Sequence, residues 1–399
     1  MTNTADIKIH NEQQKISPAS ILCLGLGWFP QTPGGLERYI YELTQQLAAN
    51  QDKINLCGID LPNSQLYENI NFINLATSNQ SIWQRLHSVR SNFKKINTKN
   101  LDAINLHFAL YSLPILDLLP PKIPITFNFH GPWADESHAE GNNKLGVFLK
   151  RFLIEKQVYQ KCNRFIVLSQ AFGKILHEQY QIPGDKIHVI PGGVNIEKFQ
   201  PNFSPIEARQ QLGWHEDRPI IFTSRRLVQR VGVDKLLTAL SIIKPKIPDI
   251  WLAIAGRGNL QLALQNQAIE LGLNNNVKFL GFLPDEHLPI AYQAADLTVI
   301  PSQSFEGFGL AIVESLACGT PVVCTPIGGM PEILTPFSPD LITSSISAED
   351  IAAKLSQILL GEISKPSRES CRQYAVDKFN WYKIAQQIRH IILSDGVME

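Results

Sequence analysis

Glu306 and Glu314 are separated by seven residues in the stretch Pro301-Ser-Gln-Ser-Phe-Glu306-Gly307-Phe308-Gly309-Leu310-Ala-Ile-Val-Glu314. The apolar run Leu297–Pro301 reads as a buried strand closed by proline. The glycines form a flexible loop, a helix opens near Leu310, and Gly319 stops it. Strand, glycine loop and helix start make an anion site, because the free N–H groups near Phe308, Gly309 and Leu310 and the positive end of the helix dipole point the same way. Either glutamate alone reads as a solvated charge. As a pair beside an anion site they fit a ligand with a phosphate end and several hydroxyls, since carboxylates accept hydroxyl hydrogen bonds.

Cations suited to that ligand stand elsewhere. Arg225, Arg226 and Arg230 follow the apolar run Pro219–Ser224. Guanidinium groups at a strand end bind diphosphate oxygens in fixed forks. Arg226 is the firmer candidate and Arg230 the second. Gly34-Gly35 at the start of another helix suggests a second phosphate-facing loop. His130 closes the apolar run Ile125–Phe129, at the strand end where open α/β sheets gather ligands. His107, at another strand end, reads as structural.

These residues need elements to hold them, and the chain is long enough to supply two cores. At 399 residues, with 44% apolar and 18% charged residues, it has the make-up of a soluble globular protein. Lys plus Arg and Asp plus Glu balance at 36 each, which argues against nucleic acid as a partner. The scattered Cys23, Cys57, Cys162, Cys318, Cys324 and Cys371 form no C-x-x-C pair and read as reduced core thiols of a cytoplasmic protein. Residues 1–19 read as a polar tail without a secretory h-region, and no run is long enough to span a bilayer.

Apolar runs at Ile21–Leu26, Ile54–Ile59, Ala103–His107, Ile125–Phe129 and Arg164–Ser169 alternate with helical or loop sequence. A second series follows at Pro219–Ser224, Trp251–Ala255, Val277–Leu280 and Leu297–Ile300. Repeated β-α units of this kind imply an α/β fold with two Rossmann-like domains facing a cleft. The expected division is residues 20–198 with the helix 381–396, and residues 199–380. Asn143–Cys162 is expected as an amphipathic basic helix. Most such helices pack on their own sheet and a minority lie on anionic lipid. With the basic run Trp83–Lys95, it raises peripheral contact with the inner face of a membrane. Gly25-x-Gly27 lacks the third glycine of a dinucleotide fingerprint, since Pro30 stands there.

The Glu306–Glu314 spacing, with Gly307 and Gly309, resembles the E-x7-E motif of the retaining family 4 glycosyltransferases (group 1), which have the GT-B fold. The segments Gly34-Gly35-Leu-Glu-Arg38, His188-Val-Ile-Pro-Gly-Gly-Val-Asn195 and Thr325-Pro-Ile-Gly-Gly-Met-Pro-Glu332 extend the likeness over nearly the whole chain. The resemblance implies that Glu314 accepts ribose hydroxyls and Glu306 a hydroxyl of the transferred sugar. Backbone groups near Phe282 and Leu283, after the Gly256 turn, would hold the base. Gly309, Leu310, Arg226 and Arg230 would hold the diphosphate, with His130 near the sugar. The implied donor is a nucleotide-diphosphate sugar, used without a metal ion, and the acceptor is a glycan, lipid or small molecule. Val231 occupies the family's lysine position, so a second cation has to come from Arg230. A sugar-nucleotide epimerase or a non-catalytic sugar-nucleotide sensor would share the fold and the donor.

Overall fold

A computed structural model describes residues 17–62, 67–139, 146 and 149–394. The expected tail therefore lies mostly outside the described residues, as does most of Asn143–Lys150.

The first sheet contains β1 (Ser20–Leu24), β2 (Lys53–Ile59), β3 (Ile70–Ala76), β4 (Ala103–Leu106), β5 (Ile125–Phe129), β6 (Arg164–Val167) and β7 (Ile187–Val189), in the order β3-β2-β1-β4-β5-β6-β7. All its pairings are parallel. Alternate residues of β1 serve opposite faces. Leu22 and Leu24 pack with Phe127 and Phe129 on one side, Ile21 and Cys23 with Ile54 and Leu56 on the other. A parallel strand covered on both faces needs an unbroken apolar run, which is why the sequence pattern was readable. β3 carries no such run. Asn71, Asn74 and partly exposed positions mark it as an edge strand, and sequence reasoning missed it.

The second sheet contains β8 (Ile220–Ser224), β9 (Trp251–Ala255), β10 (Val277–Gly281), β11 (Leu297–Ile300) and β12 (Val322–Cys324), in the order β10-β9-β8-β11-β12, again all parallel. Each sheet has one point where the strand order reverses, between β1 and β4 and between β8 and β11. Crevices at such points are where open α/β sheets take ligands.

The chain passes between the sheets at two adjacent places. Val194 N–H donates to Phe379 O at 2.6 Å and pairs in parallel with Asn380. The Asn380 side chain then accepts from Tyr382 N–H at 3.0 Å, capping the last helix, Trp381–Leu393. That helix lies on the first sheet, where Trp381, Ile384 and Ile388 join Tyr39 and Ile40 in one core. Arg389 fastens it by a buried two-point ion pair to Asp52, with both N–O distances 2.7 Å.

One expectation is corrected. Within Asn143–Cys162 the described backbone is π-helical over Lys150–Glu155 and returns to α-helix over Lys156–Tyr159. The wider turn ends on the buried Glu155, and the apolar periodicity alone does not tell a π-turn from an α-turn.

A candidate active site where the two sheets reverse

Glu306 and Arg225 approach from the two strands that flank the reversal in the second sheet. Arg225 directly follows β8, and Glu306 sits on the loop after β11. The Arg225 guanidinium pairs with Glu306, and Ser302 Oγ donates to Glu306 Oε2 at 2.9 Å. Burial pushes the Glu306 carboxyl up, but the charge and hydrogen bond of Arg225, the Ser302 hydroxyl and the charge of Arg230 outweigh it. The net pKa lies below the usual carboxylate value, so Glu306 is an anion at neutral pH. The loop backbone is fixed from the other side. Gly328 has φ +58, and a Cβ there would stand 1.8 Å from the Glu306 carbonyl oxygen.

Gly309 opens the helix Leu310–Ala317 with φ 101, a left-handed conformation suited to glycine. The first N–H groups of that helix have no intrahelical acceptor. Glu314 lies one turn in and is almost fully buried. Tyr292 O–H donates to its Oε2 at 3.0 Å. Arg38 Nη1 donates to its Oε1 at 2.5 Å, reaching over from the helix Gly35–Ala49 that follows the Gly34-Gly35 loop. Arg38 and Lys198 both pair with Asp285, which follows β10. Burial, with the charge of Arg38, brings the Lys198 ammonium down to about 8 despite the nearby carboxylates. A second bridge joins the same halves: Glu332 accepts from Gln170 N–H at 2.8 Å and Ala171 N–H at 2.9 Å, at the start of the helix Gln170–Tyr180.

His130 lies at the carboxyl end of β5, and its Nε2 is 3.1 Å from Nδ1 of His107 at the end of β4. The two rings stack with centroids 5.4 Å apart. Burial pushes His130 down to about 3 and His107 well below the usual imidazole value, the latter helped by His130 itself. Both are neutral near pH 7.

Two family models divide the chain between them. Residues 33–198 match the model described as Glycosyltransferase Family 4, and residues 205–378 match Glycosyl transferases group 1. The chain belongs to this family of glycosyltransferases. An uncharacterized glycosyltransferase of Methanocaldococcus jannaschii is 26% identical, the match covering 90% of this chain and 96% of that one. A D-inositol 3-phosphate glycosyltransferase of Corynebacterium aurimucosum is 31% identical over 60% of this chain, spanning 59% of its own length. Among solved structures, Anabaena HepE in complex with UDP and glucose superimposes with TM-score 0.74 at 21% identity, covering 93% of this chain and 98% of that one. The fold is GT-B.

The glycosyltransferase places its sequence-derived site residues unequally. Glu306, Glu314, Gly309 and Leu310 gather on one loop and helix. Arg230 joins them, donating from Nη1 to Phe305 O at 3.3 Å. Arg226, expected to meet the diphosphate, is exposed next to Arg225, and it is Arg225 that pairs with Glu306. The charge of Arg226 also reaches Glu37, opposing the rise that burial gives that carboxyl. The Phe308 side chain is buried against Phe379 rather than in the cleft, so only its backbone is available to a ligand. Val231, at the family's lysine position, is buried in the core of the second sheet. Gly34 caps the helix that carries Arg38. Gly256 packs against Arg225, where a Cβ would stand 1.8 Å from the Arg225 carbonyl oxygen. Phe282 is exposed under the Arg257 guanidinium, 5.7 Å from the ring centre, and Leu283 packs on the core.

Sequence reasoning did not single out Arg38, named Arg225 only as one of three arginines, and read His107 as structural. Arg38 stands within the quoted Gly-Gly-x-x-Arg segment, so its signal was present. His107 offered none by itself, because its partner lies 23 positions away.

Proposed function

We propose that this glycosyltransferase moves a hexosyl group from a nucleotide-diphosphate sugar to an acceptor hydroxyl, retaining anomeric configuration and needing no metal ion. The observation that carries the reading is the joint placement of Glu306, Arg225, Arg230 and the start of the helix Leu310–Ala317 around one loop. Glu314 would accept the ribose hydroxyls and Glu306 a sugar hydroxyl. The helix N–H groups and the two arginines would stabilise the charge that develops on the leaving diphosphate, which is the main demand of this chemistry. In same-face transfer the bond from the anomeric carbon to the phosphate oxygen breaks, the acceptor oxygen bonds to that carbon, and the acceptor proton passes to the departing phosphate. The UDP and glucose in HepE make UDP-glucose the first donor to try. The test is product formation with and without EDTA, with the product anomer assigned by proton NMR. Retention with unchanged rate in EDTA is expected. An inverted product or a metal requirement overturns the corresponding part, and donor binding without transfer leaves the non-catalytic sensor.

A peripheral membrane contact is favoured by exposed apolar side chains on two helices. Leu149, Phe152 and Leu153 are 43%, 40% and 58% exposed beside Lys150 and Lys156, and Trp83 is 79% exposed on the helix Ile82–Phe93. Apolar side chains framed by cations suit an anionic bilayer. Co-sedimentation with anionic liposomes at low salt, lost in Phe152→Ser with Leu153→Ser, is expected. No co-sedimentation of the unmodified protein removes the idea.

A further inference from the structure

A chain of buried polar side chains runs along the carboxyl edge of β4 and β5 and ends on His130. Tyr39 O–H donates to Asn128 Oδ1 at 3.2 Å. Asn128 Nδ2 donates to Asn105 Oδ1, and Asn105 Nδ2 lies 3.0 Å from His107 Nε2. His107 Nδ1 then meets His130 Nε2 at 3.1 Å. Tyr39, Asn128, Asn105 and His107 are at most 2% exposed, so none can exchange these partners for water.

The chain has a direction. The Tyr39 hydroxyl is buried and its hydrogen bond to Asn128 is the one that satisfies its proton. Running the chain backwards would turn the Asn128 amide toward Tyr39 and leave a buried phenol proton without an acceptor, which costs more than any bond it would gain. In the forward direction Asn105 donates to His107 Nε2, so the proton of neutral His107 is on Nδ1. That N–H donates to His130 Nε2, whose lone pair is thereby used. The proton of neutral His130 must be on Nδ1. Among the described residues Nδ1 of His130 makes no hydrogen bond, and His130 is only partly buried, so that N–H is left for a ligand.

We infer that His107, held by Asn105, Asn128 and Tyr39, is a positioning residue that fixes His130 as an N–H donor to the bound substrate and denies it a basic lone pair. His130 then serves by donating from Nδ1 to an oxygen of the ligand, and it does not take the acceptor's proton. What receives that N–H rests on the donor-sugar reading of the cleft; the tautomer does not. A free imidazole in water prefers the proton on the other nitrogen, so the assignment is a distinctive one.

The test is long-range proton–nitrogen NMR of protein labelled with 15N-histidine, without substrate, with the His130 signal identified by its loss in His130→Gln. The expected spectrum shows Nδ1 protonated and Nε2 unprotonated in His130, with no change between pH 6 and pH 8, well above the titration of either ring. A proton on Nε2, or a charged ring, overturns the inference, and this measurement needs no variant to fold beyond the one used for assignment. In His107→Leu the His130 proton should return to Nε2, and kcat/KM with the active donor should fall about tenfold, the worth of one hydrogen bond. Unchanged tautomer in that variant overturns the role of His107. If no donor is turned over while the spectrum is as expected, the glycosyl-transfer reading fails and the tautomer assignment stands.

Discussion

The guanidinium of Arg38 reaches across the cleft to Glu314, with Nη1 2.5 Å from Oε1, although 276 positions separate the two residues. The carboxylate proposed to hold the ribose is thus already engaged by the opposite half of the molecule, and by Tyr292 from its own half. A ligand hydroxyl that replaces the Arg38 contact keeps the carboxylate satisfied. Glu314→Ala removes that acceptor. Hydrogen bonds to a charged group are worth about 1.5–3 kcal/mol each, so the donor KM should rise by tens of fold while kcat changes by only a few fold. An unchanged KM would show that the ribose is held elsewhere.

Glu306 should matter to chemistry more than to binding. Its Gln variant is expected to lose most of kcat, by about a hundredfold or more, with donor affinity changed by a few fold. Its pKa is lowered on folding, so the ion pair with Arg225 stabilises the fold fully above about pH 4.5, the ordinary value, and that stability is lost as pH falls through the lower folded-state value. Thermal unfolding should therefore show wild type ahead of Glu306→Gln at pH 7, with the gap closing below pH 4. A gap that widens with acid would contradict the pairing.

Glu155 has the opposite sign. It is fully buried, takes a hydrogen bond from Tyr180 O–H at 2.7 Å, and among the described residues leaves Oε1 without a hydrogen-bond partner. Burial raises it to about 7, with the Tyr180 bond only partly offsetting this. Between the ordinary carboxyl value and pH 7 the folded state holds a proton that the unfolded state has lost, so stability falls as pH rises through that window. Glu155→Gln should be near neutral at pH 5 and stabilising at pH 8, at about 1.4 kcal/mol per pKa unit removed. Equal stability changes at both values would show that Glu155 titrates normally.

Trp381 joins the last helix to the first sheet, 3% exposed, with its ring 5.1 Å from that of Tyr39. Trp381→Ala should cost about 3–5 kcal/mol in denaturant unfolding, the usual result of emptying a large aromatic site. A change under about 1 kcal/mol would mean that the site collapses freely.

The parts of this site that the sequence disclosed are those carried within one short segment. Glu306, Gly309 and Glu314 are ordered by a loop and two helical turns, so their spacing is enough. The apolar runs of β1, β4, β5, β8 and β11 were readable because parallel strands covered on both faces are mostly apolar, with only single Asn or Thr positions interrupting them. Contacts made by strand order were not readable. His107 and His130 meet because β4 and β5 are neighbours, and Arg225 meets Glu306 because β8 and β11 are. Which of the two arginines meets Glu306 is set by the path of the chain beyond β8, which no spacing in the sequence reports. The π-helical turn at Lys150–Glu155 was hidden for another reason: its residues have ordinary helix propensities, so no local pattern separates it from an α-helix.

The central claim is that one loop and helix bind the diphosphate and ribose of a nucleotide sugar. Thermal unfolding with a panel of UDP-, GDP- and ADP-sugars tests it most directly, run in parallel on wild type and Glu314→Ala. One donor class should stabilise wild type by about 2.7 kcal/mol at 100 times its dissociation constant, and the variant much less at the same concentration. Stabilisation of neither protein by any of the donors, or equal stabilisation of both, would contradict it.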